Sequence, residues 1–166
     1  MVGSARTKRV LGAVIDADPD TGVPRRLQDL RRRLDSAYEL PDAFPVDGLI
    51  LRPRASRPDR ARLPILGVWL MPDNERDGIF EDLLRVAMTV ESESYISAVV
   101  DKAKVDGVAT YSDVERSKVI VKTHVAWQDP DKKNVGEAIG QHFENLAPAC
   151  QPFLGWLERL FGEPVA

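Results

Sequence analysis

Apolar and polar positions alternate in blocks along this chain, and the blocks read as strands first and helices later. Val10, Leu11, Ala13, Val14 and Ile15 form a near-continuous apolar run that stops at Asp16, Asp18 and the Pro19-Asp20-Thr21-Gly22 cluster. Such a run, bounded by turn residues, predicts a parallel strand buried on both faces. After Pro24, the spacing of Val23, Leu27, Leu30, Leu34 and Tyr38 predicts an amphipathic helix with an arginine-rich outer face. Pro24 suits its first turn, where a missing amide hydrogen costs nothing. Gly48–Leu51 is a short strand, Leu63–Met71 a second buried strand, and Pro72-Asp73-Asn74-Glu75 an acidic turn before a helix over Ile79–Val90. Two successive strand–turn–helix units imply a parallel sheet with right-handed crossovers.

From Glu91 onward the pattern is mainly helical. Tyr95–Ala103 and Val114–Trp127 have helical periodicity, although the β-branched residues of SKVIVKTHV keep a strand in competition at the second. Val135–Phe143 and Cys150–Phe161 complete the helices. The last carries a broad stripe of Phe153, Leu154, Trp156, Leu157, Leu160 and Phe161, expected to face a core. With residues 1–9 as a tail and 52–62 as a mobile basic loop, the whole reads as one α/β domain over residues 1–166.

Composition narrows this picture. The 166 residues, 43% apolar and 30% charged, suffice for one core without disulfides or structural metal. A lone cysteine, Cys150, excludes an intrachain disulfide and suits a reducing compartment. No apolar run approaches the ~18 residues that span a bilayer, and no signal-peptide pattern opens the chain, so a cytoplasmic protein with no membrane partner is expected. The net charge of -3 argues against general nucleic-acid coating, but ten arginines from Arg25 to Arg62 crowd the first half. They read either as solvated faces or as a local phosphate-binding surface, with Arg31, Arg32 and Arg33 as candidate nucleic-acid contacts.

Candidate chemistry gathers at the acidic turns. Residues two apart on a strand point the same way, so Asp16 and Asp18 can converge on one cation where α/β sheets bind ligands. Asp18 before Pro19 also suits a plain turn, and Glu81 and Asp82 suit the positive end of a helix dipole. Asp73-Asn74 reads as turn chemistry. His124 and His142 lack zinc-ligand spacing, and Cys150 reads as a structural thiol. No nucleotide-binding glycine loop and no Gly-x-Ser-x-Gly elbow occurs.

VIDAD at Val14–Asp18, GVWLMPDN at Gly67–Asn74, GIFEDLL at Gly78–Leu84, and Lys122, His124 and Trp127 in KTHVAW carry a resemblance. Over Val10–Phe161 the chain resembles a bacterial and archaeal TOPRIM-related family of unknown function, relatives of the TOPRIM half of OLD-type nucleases. The resemblance implies a Rossmann-like, mostly parallel TOPRIM sheet flanked by helices, with Mg²⁺ or Mn²⁺ held for phosphodiester chemistry on nucleic acid. Asp16 and Asp18 match the Asp-x-Asp that holds metal, Glu81 with Asp82 the acidic helix start that completes the site, and Lys122 a lysine of those nucleases. Mg²⁺ takes oxygen ligands and activates water, and a lysine stabilises charge on the transferring group. In such domains a strand ending in glutamate precedes the Asp-x-Asp. Here none of the fifteen residues before Asp16 is glutamate. A shortened product, a glutamate strand from another polypeptide, or loss of catalysis each accounts for that. A sheet without its first strand exposes an edge, so a homo-oligomer is expected, beside an ATPase partner of the OLD type. Two function classes follow: a metal-dependent nuclease-like domain, or a non-catalytic TOPRIM-like interaction or nucleic-acid-binding subunit.

Overall fold

A computed structural model describes residues 9–131 and 134–162. They form three strands and six α-helices: β1 (Val10–Asp16), α1 (Gly22–Leu34), β2 (Leu49–Leu51), β3 (Ile65–Met71), α2 (Phe80–Val86), α3 (Val90–Val105), α4 (Arg116–Gln128), α5 (Val135–Ala138) and α6 (Leu146–Phe161). The chain divides into two compact units, Met1–Gly78 with Pro152–Ala166, and Ile79–Gln151. The tail 1–9 lies outside the described residues except for Arg9.

The first unit is a small α/β layer structure. Its sheet has the order β1-β3-β2, with β1 parallel to β3 and β2 antiparallel to it. The sheet is therefore mixed rather than mostly parallel. A parallel return requires a long crossover, usually a helix; the 52–64 connection from β2 to β3 holds only a 3-10 turn at Arg60–Arg62 and brings the chain straight back. Ile15, Ala17, Val68, Leu70, Leu49 and Leu51 turn to one face and pack with Leu27 of α1, Tyr38 and Phe44. The opposite face, carrying Gly12, Gly67 and Trp69, meets the end of α6.

Glycine makes that second contact close. A Cβ on Gly67 would lie 2.3 Å from Leu160 Cδ2 and 2.8 Å from Trp156 Cζ2, and one on Gly48 would lie 2.4 Å from Trp156 Cδ1. Trp156 is fully buried and donates from Nε1 to the Leu49 carbonyl at 3.3 Å. Phe153 meets Trp69 edge-on at 5.5 Å between centroids. Phe153, Trp156 and Leu160 of the α6 stripe thus serve a core here, as its periodicity predicts, whereas Leu154 and Phe161 are exposed.

Two expectations change. β1 is an edge strand, not one covered on both faces: Leu11 is 54% and Val14 48% exposed. The helix α1 stops at Leu34 rather than reaching Tyr38, because the Ala37 carbonyl accepts from Arg54 N–H and Tyr38 bridges to Pro53 instead of continuing the turn. In the basic loop, Arg54 is tied to Asp35 at 2.7 Å and Arg57 to Asp59 at 2.9 Å.

The second unit is helical. Leu84, Met88, Ile96, Val100, Ile120, Val121, Val125 and Phe143 form its core. The segment in competition folds as helix α4, its buried Ile120, Val121, His124 and Val125 falling on one helical stripe. The expected Ile79–Val90 helix breaks at Ala87–Thr89, where the Thr89 hydroxyl accepts from Ser92 N–H at 3.2 Å and so opens α3 instead. Gly140, at φ 84, follows the short α5, and α6 begins a turn earlier than expected, with Pro148 in its first turn.

Candidate functional site

The carboxyl ends of β1 and β3 lead into turns of the first unit, and a cleft of about 1080 Å³ opens there, lined among others by Gly22, Arg25, Arg31, Phe44, Asn74 and Asp77. This is where an α/β sheet presents ligand-binding groups. The end of α1 facing it is already capped. Val23 N–H donates to Asp77 Oδ1 at 2.9 Å, a link across 54 residues, so a carboxylate of the chain meets the positive end of the helix dipole. Gly22 stands at φ 75, and a Cβ on it would lie 2.8 Å from that same oxygen. Glycine permits both the turn and the cap.

The Asp-x-Asp pair sits at this edge. Asp16 ends β1, and its carbonyl accepts from Arg26 Nε at 3.0 Å. Asp18 follows in a left-handed turn, φ 61, and its carboxylate is ion-paired with the guanidinium of the same Arg26. One arginine of α1 thereby fixes both ends of the motif. Across the cleft, Asn74 takes a left-handed conformation, φ 68, and is 1% exposed. Its Oδ1 accepts from Leu70 N–H at 2.7 Å and its Nδ2 donates to the Val46 carbonyl at 3.0 Å. Asp73 Oδ1 accepts from the amides of Arg76 at 2.9 Å and Glu75 at 3.2 Å. The Asp73-Asn74 pair is turn chemistry, as read from the sequence. Burial opposes ionisation of Asp73, but those amides and the Arg76 guanidinium outweigh it and hold its carboxyl below the usual value.

Glu81, Asp82 and Lys122 belong to the second unit. Asp82 Oδ2 accepts from Ile79 N–H at 2.9 Å, capping α2, and Oδ1 accepts from Ser117 Oγ at 2.5 Å. Arg85 donates to Ser117 Oγ at 3.0 Å and pairs with Glu93 at 2.5 Å. Burial raises the Glu93 pKa, but its hydrogen bonds to Arg85 and Ser97 prevail and lower it overall. Lys122 is exposed on α4. Among the described residues, no group of three or more His, Cys, Asp or Glu side chains is arranged to hold a metal ion.

Arg26, Arg31 and Arg32 of α1 are matched by carboxylates. Arg31 pairs with Asp42 at 3.1 Å and donates to the Pro41 carbonyl at 2.5 Å, Arg32 pairs with Asp29, and Arg33 is exposed in the last turn. His124 donates from Nε2 to the His142 carbonyl at 2.7 Å inside the second unit. Burial pushes the Cys150 thiol up, away from reactivity. Asp77 and Arg26 are the residues that sequence reasoning did not single out. Each acts through a partner outside its own turn of chain, and no local spacing announces that.

Among the described residues, no helix is long and apolar enough to cross a membrane. No curated protein and no solved structure matches the sequence. The family described as a protein of unknown function, DUF3226, matches residues 2–162, and the chain belongs to that family.

Proposed function

We propose that this chain is a non-catalytic, TOPRIM-like interaction module, in which the acidic turns after β1 and at the start of α2 serve the fold. The observation that carries this reading is the Arg26 clasp on Asp18 and on the Asp16 carbonyl. A cation bound by the pair would have to take Asp18 from a guanidinium already in place. The capping role of Asp82 and the carboxylate partners of Arg31 and Arg32 support the same reading.

The nuclease-like reading retains one observation in its favour: Asp16 ends a strand paired parallel to β3, with Asp18 in the turn that follows. In that case Asp16 and Asp18 would hold Mg²⁺ or Mn²⁺, which supplies water activation and charge neutralisation.

Calorimetric titration with Mn²⁺ separates the two, with Asp16→Asn/Asp18→Asn as control. The module reading expects the same weak, non-saturating heats from both proteins, and no Mg²⁺- or Mn²⁺-dependent cleavage of DNA or RNA. One-to-one binding that disappears in the control, with cleavage abolished by Asp16→Ala or Glu81→Ala, overturns it. Replacing Arg31, Arg32 and Arg33 together tests nucleic acid as the partner. A loss of affinity and a shallower salt dependence would assign phosphate contacts to that face.

A further inference from the structure

The outer edge of β1 is built to pair, and we propose that its occupant is β1 of a second copy, joined antiparallel about a two-fold axis at Gly12. The proposal deepens the interaction-module reading by naming the partner.

The backbone sets the register. Ala17 N–H donates to Met71, and the Arg9 carbonyl accepts from Ile65 N–H, so the odd-numbered residues of β1 address β3. Val10, Gly12, Val14 and Asp16 therefore turn their N–H and C=O groups outward. The Asp16 carbonyl already accepts from Arg26. Among the described residues Val10, Gly12 and Val14 remain, and under a two-fold at Gly12 they are self-complementary. Val10 faces Val14 of the other copy, Gly12 faces Gly12, and each pair exchanges both backbone hydrogen bonds.

Side chains favour the same arrangement. Leu11, Val14 and Phe161 are 54%, 48% and 57% exposed. A Cβ on Gly12 would lie 3.5 Å from Phe161 Cζ, which puts that ring beside the proposed axis. Pairing covers Val14 with Val10 of the other copy, Leu11 with Ala13, and brings the two Phe161 rings together over the facing glycines. Between Val10 and Ile15 the strand has no charge and no proline, the usual devices that protect a sheet edge. Charge selects the direction. Asp16, Asp18 and Asp20 gather at the carboxyl end of β1 and Arg9 precedes it, so a parallel pair stacks acid on acid, whereas an antiparallel pair parts the two acidic ends and brings Arg9 of each copy, opposite Ile15, to the acidic end of the other. The result is a continuous six-stranded sheet.

Sedimentation velocity on the full chain tests this. The expected mass is twice the 18.5 kDa of one chain. Val14→Lys should weaken the dimer by at least about tenfold with unchanged circular dichroism. Arg9→Glu should weaken it as well, without touching the apolar edge. Val105→Lys, at a residue 86% exposed on α3, should leave the mass unchanged. In a Cys150→Ala background, Gly12→Cys should form a disulfide dimer on mild oxidation while Val105→Cys does not. A wild-type monomer at about 100 μM, a dimer indifferent to both Val14→Lys and Arg9→Glu, or a Gly12→Cys protein that fails to cross-link overturns the proposal. None of these readouts depends on metal binding or cleavage, so the failure of the pairing is distinct from the failure of the non-catalytic reading.

Discussion

β1 and β3 arise from similar stretches, LGAVIDADPDTG and LGVWLMPDNERDG, and lie side by side with Gly12 opposite Gly67 and Ile15 opposite Leu70. Both run into a turn with a left-handed residue, Asp18 at φ 61 and Asn74 at φ 68. Yet β3 is paired on both sides and buried from Gly67 to Met71, whereas β1 is paired on one side with Leu11 and Val14 in solvent. Their turns differ in the same sense. Asn74 is sealed in and bonded to β3 and to the chain before β2, while Asp18 is held from outside by a half-exposed ion pair. The same local pattern serves as a structural centre in one place and as a border in the other.

The sharpest way to break this comparison is to truncate one leucine in each strand. Leu70→Ala, at a residue with no exposure, should destabilise by about 3–4 kcal/mol, since it removes buried methyl groups and leaves a cavity. Leu11→Ala should cost under about 1 kcal/mol in the monomer. Urea unfolding of both variants checks the pair; equal losses would mean that β1 is covered as fully as β3.

That contrast also marks how far the sequence could be read. The apolar runs at Val10–Ile15 and Leu63–Met71 were enough to locate two strands, and helical spacing located α1, α3, α4 and α6. Central and edge positions are not written in such runs, because strand neighbours are set by distant connections. The antiparallel placing of β2 depends on the 52–64 loop lacking a helix, which the prolines of that loop hint at but do not determine. In the candidate site, the acidic turns were legible as turns and as carboxylates. The choice of partner was not: Arg26 reaches Asp18 from one helical turn inside α1, and Asp77 reaches Val23 from a loop far along the chain.

The paired glycines sharpen the comparison at the next level. Gly67→Ala drives a Cβ to 2.3 Å from Leu160 Cδ2, and displacing Leu160 and Trp156 should cost about 2–3 kcal/mol. At Gly12 the nearest such atom is 3.2 Å away, within reach of a small side-chain adjustment, so Gly12→Ala should cost under about 1 kcal/mol. Thermal unfolding of the two alanine variants reads the difference directly.

The turns give a smaller effect. Asn74→Ala leaves Leu70 N–H and the Val46 carbonyl without their partner and puts alanine in the left-handed region, so about 2 kcal/mol should be lost. Asp18→Asn keeps a residue that tolerates that region and loses only the charge of an ion pair whose side chains are 27% and 41% exposed. Under about 1 kcal/mol is expected there. A larger loss at Asp18 than at Asn74 would reverse the assignment of centre and border.

The smallest effect is a pH dependence confined to the turn after β3. The carboxyl of Asp73 is below its ordinary value when folded, because the Arg76 and Glu75 amides and the Arg76 guanidinium favour the anion more than burial opposes it. A group depressed in the folded state binds its proton more readily when unfolded, so its contribution is present above the unfolded value, about 3.9, and is lost as pH falls through the lower folded value. Asp73→Asn keeps an oxygen to accept from both amides but cannot ionise. The stability gap between wild type and this variant should therefore be largest near neutral pH, stay under about 1 kcal/mol, and close as the solution is acidified through the unfolded value and on through the lower folded one. Urea midpoints of the two proteins across that range test it. A gap that persists unchanged in acid would mean that the variant disturbs the turn itself, and that the charge of Asp73 contributes nothing to holding the central strand's exit.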